Sequence, residues 1–244
     1  MRIIQKPYSI CHAELNYGAS MEHTIEQSPR RGLSEQTKLE LANSITHGIG
    51  AALAIAALVL LVVFASLRGT ARHIVGGSIF GSMLIVLYTM STLYHSFRGP
   101  RVKTVFKVLD HSAIFLLIAG TYTPFCLATL RGAWGWTLFG LVWGLAALGI
   151  TFKAIFIHRM EFLSLAIYLL MGWIVVIAIV PLWHRLPPGG LAWLFGGGLC
   201  YTAGAGFYAW PSLRFHHAIW HLWVVAGSVC HFFAVLWYVI PAPR

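Results

Sequence analysis

Two imidazoles four residues apart, in His217-Ala-Ile-Trp-His221, would project from one face of a helix as a two-nitrogen clamp. Ser91 and His95 repeat that spacing much earlier in the chain, and Asp110 follows beyond a short basic stretch. Zinc favours imidazole nitrogen, and a catalytic zinc site keeps three protein ligands with a water in the fourth position. His95, His217 and His221 are therefore the expected metal ligands, with Asp110 and Ser91 holding the water. The carboxylate could orient that water, accept its proton, or support the ligands from behind.

For these residues to meet, the elements carrying them must end at one depth. The chain is 58% hydrophobic and 10% charged, whereas a soluble domain carries about a quarter of its residues as charges. It belongs in a bilayer. Apolar runs near the roughly 20 residues that a membrane-crossing helix needs fall at about 43–66, 73–97, 108–130, 134–152, 163–183, 189–209 and 217–240. The expected fold is all-α, an integral membrane bundle of seven transmembrane helices. Connections are short and several carry helix-stopping residues, as in Arg98-Gly99-Pro100 and Pro187-Pro188-Gly189-Gly190, so residues 39–244 read as one transmembrane domain.

Residues 1–38 hold four of the seven acids and no long apolar run, and read as a polar cytoplasmic tail. No apolar stretch near Met1 suggests a cleaved signal peptide, so the first span is expected to direct insertion. Orientation follows from Lys and Arg. Twelve lie in the tail and the loops that share its side, against five on the other, which places the N-terminus in the cytoplasm and the C-terminus outside. The net charge of +10 is thus mainly a topology signal; it could also hold anionic lipid head groups, while no motif supports nucleic-acid binding. Trp134, Trp136, Trp183, Trp193 and Trp237 fall near expected outer ends, as interfacial anchors do.

With this topology His95, Asp110, His217 and His221 all lie within about 5 to 10 Å of a cytoplasmic helix end and form a layer. His231 is ten residues past His221, about 15 Å further out, and is expected to bond within the bundle. His216 and His111 point about 100° away from their neighbours His217 and Asp110, so neither is expected as a ligand. Glu40, Asn43 and His47 follow i, i+3, i+7 spacing, a polar stripe descending toward the layer. That stripe either ties the first span to its neighbours by hydrogen bonds or takes part in the chemistry. Pro124 should kink the third span. Gly77/Gly81, Gly140/Gly144 and the glycines of the sixth span predict close helix packing. Cys11, Cys126, Cys200 and Cys230 form no CxxC pair and read as small fillers.

Taken in order, Glu40-x2-Asn43-x3-His47, Ser91-x3-His95, the Asp110 of Leu109-Asp110-His111-Ser112, and His217-x3-His221 resemble the hemolysin III family, within the progestin and adipoQ receptor (PAQR) group and related to alkaline ceramidases. The resemblance implies a zinc ion on the three histidines near the cytoplasmic face, Asp110 and Ser91 around its water, and an N-inside topology. It further implies ceramidase-like hydrolysis in some members and a role in membrane homeostasis for bacterial ones. The reading that results is a zinc-dependent integral membrane hydrolase of a lipid amide or ester, with membrane lipids as partners, resident in the plasma membrane or a bacterial inner membrane. Its alternatives are a non-enzymatic regulator of membrane state with structural zinc, and a hemolysin-type lytic protein. Long outer loops for a protein hormone are absent, and oligomeric state is not written in the sequence.

Overall fold

A computed structural model describes residues 34–156 and 161–241, and among them the regular structure is entirely helical. Most of the expected tail (residues 1–33), together with Arg159 and Arg244 of the orientation argument, lies outside the described residues. The rest of the chain forms one compact unit.

Helix α1 spans Glu35–Arg68 and starts where the Ser34 hydroxyl accepts the backbone N–H of Thr37 at 3.2 Å, satisfying one of the donors a helix start leaves open. Residues 35–38, read from sequence as the end of the tail, are thus its first turn. Helix α2 covers Ala71–Ser96. Helix α3 covers Pro100–Pro124, with Pro100 at its first position, where a missing N–H costs nothing. It runs on as a π-helical segment, Phe125–Leu130. Then come α4 (Gly132–Phe156) and α5 (Glu161–Trp173), which passes through a 3-10 stretch, Ile174–Ala178, into the short α6 (Ile179–Trp183). Helix α7 covers Pro188–Tyr208, and α8 covers His216–Ala234 with a π turn at Val235–Val239.

Six of these units are long and apolar enough to cross a membrane: α1, α2, extended α3, α4, the α5–α6 composite and extended α8. Helix α7 has 21 residues but is diluted by glycine and falls outside that set. Both α1 and α3 begin about eight residues before the apolar runs that mark them in the sequence. Those added turns lift Glu40 and Lys103 alongside the histidine layer.

Helix α2 packs between α1 and α3, α4 lies on α3, α8 joins α1 to α7, and α5 touches α3 and α7. Lipid tails are as apolar as leucine, so such contacts come from close backbone approach rather than from escape from water. Gly81 sits so near α1 that a Cβ there would meet the Leu58 Cα at 2.8 Å, and one on Gly76 would meet Pro124 at 2.8 Å. Gly140 and Gly144 differ, since nothing lies within 4 Å of an added Cβ at either position. The packing expected of that pair is therefore not found among the described residues, because the helix turns them outward.

Pro124 lacks the N–H that would hold its turn, and there the helix widens from α to π geometry. The segment ends at Arg131 and Gly132, both left-handed at φ 51° and 54°; the Arg131 side chain donates back to the Ala128 carbonyl at 2.7 Å. Four of the five expected anchor tryptophans, Trp134, Trp136, Trp183 and Trp237, are exposed on the bundle, and Trp193 packs against Phe233 and Trp237.

Candidate metal centre

His95 closes the last turn of α2, and His217 and His221 open α8, so three imidazoles from the two ends of the fold meet at one level. One ring nitrogen from each lies within 4.8 Å of the others, and the His217 and His221 rings are 4.7 Å apart between centres. The Nε2 atoms of all three are buried and have no hydrogen-bond partner. A buried polar atom without a partner is costly, and three converging on one point fit an electron-pair acceptor in their midst.

The opposite ring edges explain the orientation. His95 donates its Nδ1–H to Glu40 Oε2 at 2.6 Å, which leaves the Nε2 lone pair facing the cluster. The Asn43 amide, at 3.4 Å from the same nitrogen, adds only a contact. His221 Nδ1–H has two acceptors on α1, the Asn43 carbonyl at 3.1 Å and Thr46 Oγ1 at 3.1 Å. The Thr46 proton is committed to its own helix, on the Ala42 and Asn43 carbonyls, so its oxygen is free to accept. A carboxylate behind one imidazole and a backbone carbonyl behind another is the support that metal-ligating histidines characteristically have.

Of the two things expected of it as alternatives, the stripe on α1 does the first, tying its helix to its neighbours by hydrogen bonds. Glu40 ties α1 to α2 and also reaches α3, where Lys103 donates to Oε1 at 2.5 Å. His47 is fully buried and stacks on His221 with ring centres 3.5 Å apart. Asp110 and Ser91 are buried beside each other, and the Ser91 hydroxyl stops short of a full hydrogen bond. Asp110 does not belong to the close histidine cluster. It lies instead on the wall of a large cavity.

That cavity holds about 1260 Å³ of atom-free space, counting its open mouth. His47 and Asp110 line it, together with Leu117, Phe125 and Leu138 on α3, its π segment and α4, and the lining is almost wholly apolar.

Other histidines fall where the spacing placed them. His111 Nδ1–H donates to the Lys107 carbonyl at 2.8 Å, and His231 Nε2–H to the Leu194 carbonyl at 3.0 Å. Sequence reasoning gave no role to Lys103 or Thr46. Pro100 as a helix start was the missing signal for the first, since it puts Lys103 and Asp110, seven apart, on one face; Thr46, three past Asn43, belongs to the same stripe.

Residues 35–232 match the family model described as Haemolysin-III related. The chain is 50% identical over 209 residues to "Hemolysin-3" of Bacillus cereus, covering 86% of this chain and 95% of that one. It is 49% identical over 206 residues to the "Hemolysin-3 homolog" of Bacillus subtilis (strain 168), covering 84% and 97%. A human protein, "Monocyte to macrophage differentiation factor", is 28% identical over 171 residues, covering 68% and 71%. With its apolar helices and bacterial relatives the chain is an integral membrane protein of the inner-membrane kind. On the extent of these matches, it belongs to the Haemolysin-III related family.

Proposed function

We propose that the protein is a zinc-dependent membrane hydrolase of a lipid amide or ester, working from within the bilayer near the cytoplasmic face. In this reading α7 is also a span, giving seven, with the N-terminus inside and the C-terminus outside. The observation that carries the proposal is the convergence of three partnerless, buried Nε2 atoms beside a carboxylate that opens onto an acyl-sized apolar cavity.

His95, His217 and His221 would hold the ion. Zinc, when bound, supplies a Lewis acid that activates water and polarises a carbonyl. The chain's own groups do the rest. Asp110 offers carboxylate oxygens that hold a water hydrogen bond or take up its proton and return it to the leaving group. Ser91 Oγ–H, not engaged elsewhere, is free to donate to Asp110 or to a developing oxyanion. Glu40 and the α1 backbone fix the His95 and His221 rings, and the apolar wall orients the acyl chain while excluding bulk water. Three protein ligands rather than four support catalysis over a purely structural ion.

The test is turnover of a panel of ceramides and lipid esters by purified protein, with metal content measured in parallel. The parent should hydrolyse at least one member. Asp110→Asn should keep its metal and lose a hundredfold or more in rate, as general acid–base groups contribute about 10²–10⁴. His217→Ala should lose both. A metal-loaded parent inert on the whole panel would hand the site to the regulatory reading.

A further inference from the structure

At the end of the bundle away from the histidines, two helices begin beside one pocket. Arg72 lies in the first turn of α2 and Gly132 opens α4; with Arg131 they line a space of about 580 Å³, counting its open mouth. His95 closes the helix that Arg72 opens, and 23 residues at 1.5 Å each set the two about 35 Å apart. The pocket is therefore separate from the metal centre. Both arginines are exposed, so a ligand can reach them.

The charges on this pocket's wall share one sign. A helix start carries the positive end of its dipole and favours acids, yet neither α2 nor α4 has one in its first turn. Arg72 instead adds a full positive charge there. Arg131 adds a second; its Nε–H is committed to the Ala128 carbonyl at 2.7 Å, which leaves the terminal N–H donors of the guanidinium available. Arg131 also holds φ 51°, a conformation glycine adopts more easily, so the guanidinium is carried against the preference of the backbone. No acid of the chain answers these charges. Of the seven, Glu14, Glu22 and Glu26 precede the described residues, Glu35 and Glu40 lie in the first turns of α1, Asp110 lies in the histidine-side half of α3, and Glu161 opens α5 beyond the far end of α4. The ion pairs among the described residues all use Glu35, Glu40 or Asp110.

We propose that this pocket binds the phosphodiester of an anionic membrane lipid whose head group carries no cation, in the leaflet opposite the histidine cluster. Guanidinium N–H pairs match phosphate oxygens in geometry as well as charge, and Arg72 and Arg131 offer two such groups to one phosphodiester. A zwitterionic head group would bring an ammonium beside two guanidiniums with no carboxylate to receive it, so the pocket discriminates against it. Val75, Leu127 and Trp136 continue the wall with apolar surface, which suits a lipid better than a soluble phosphate. Trp136 is 65% exposed near the start of α4, where an indole marks the interfacial depth of lipid head groups.

The experiment measures equilibrium binding of short-chain phosphatidylglycerol and phosphatidylcholine, with inorganic phosphate as competitor, to purified full-length protein in micelles of an uncharged detergent. The parent should bind phosphatidylglycerol about tenfold more tightly than phosphatidylcholine of the same chains, the scale of a hydrogen bond to a charged group. Inorganic phosphate at equal concentration should not displace it. None of the hydrogen bonds or ion pairs among the described residues uses the Arg72 side chain, so Arg72→Gln should keep the parental unfolding midpoint while the preference falls severalfold. Adding Arg131→Gln should abolish the preference, whereas Arg98→Gln with Arg101→Gln, at the histidine end, should leave it intact. Equal binding of the two lipids by the parent, a comparison that needs no variant, would overturn the proposal. A preference that survives both pocket substitutions, or that vanishes with Arg98 and Arg101 instead, would overturn it as well. Displacement by an equal concentration of inorganic phosphate would overturn the lipid as the source and give the pocket to a soluble anion.

Discussion

His95 and Glu40 share a hydrogen bond of 2.6 Å, and the other carboxylate oxygen receives the Lys103 ammonium at 2.5 Å. One acidic side chain thus connects α1, α2 and α3 at the point where α2 delivers its imidazole. It fixes the ring by its Nδ1 edge and makes the other nitrogen a better electron donor.

Glu40→Ala should therefore weaken metal binding by roughly ten- to a hundredfold, the usual effect of removing a carboxylate behind a ligating histidine. Glu40→Gln, which keeps an acceptor oxygen but no charge, should fall between Ala and the parent. Competition with a chelating dye on purified protein measures both. Unchanged affinity in Glu40→Ala would mean that His95 does not bind metal through Nε2.

His221 is held differently, and the difference is testable. Of its two acceptors one is the Asn43 backbone carbonyl, which no side-chain change removes. Thr46→Val deletes the other. Because one acceptor stays, Thr46→Val should shift metal affinity by no more than about threefold, less than the net worth of a full hydrogen bond. A loss as large as that of Glu40→Ala would show that the threonine oxygen, not the carbonyl, orients the ring.

Much of this centre was legible in the sequence for one reason: in a bilayer, depth can be read from hydropathy. The four-residue spacing of His217 and His221 gave a shared face, and charge-flanked span ends gave a shared level, so His95 and Asp110 could be placed near them with no knowledge of contacts. What the sequence hid lay outside the hydrocarbon, where hydropathy is silent. The first turns of α1 and α3 are polar, so their helices look shorter than they are, and Lys103 entered only the charge count, its contact with Glu40 unforeseen. Small-residue spacing was ambiguous too, since Gly77/Gly81 and Gly140/Gly144 carry the same pattern but, among the described residues, only the first pair meets another helix. Spacing sets which residues share a face; it does not say whether that face looks inward.

The two glycine pairs should accordingly respond in opposite ways to substitution. At Gly81 a Cβ meets the Leu58 backbone at 2.8 Å, so Gly81→Val should destabilise by about 1–3 kcal/mol through overpacking. Gly144→Ala meets nothing and gains helix propensity, up to about 1 kcal/mol. Thermal unfolding in detergent should show a lowered midpoint for the first and an equal or raised one for the second. A large loss at Gly144 would reveal a neighbour on that face from outside the described residues.

The break between α5 and α6 supplies the last test. Irregular backbone at membrane depth is tolerated only where protein or a cavity covers it, because lipid offers no hydrogen bonds. Here Tyr122 covers it. Its hydroxyl donates to the Gly172 carbonyl at 2.6 Å and accepts the Val175 N–H at 2.9 Å, bridging the groups left open where α5 gives way to a 3-10 stretch. Gly172, Trp173 and Val175 also line the cavity, so the same hydroxyl shapes its wall. Tyr122→Phe removes the bridge and leaves a part-buried N–H and carbonyl without their partner, which should cost about 1 kcal/mol. Hydrogen exchange should quicken at Val175 while the metal stays bound at parental affinity, since the break lies away from the histidines. Exchange at Val175 as slow as in the parent would show that the 3-10 stretch supports itself, and the tyrosine would then lose its structural role.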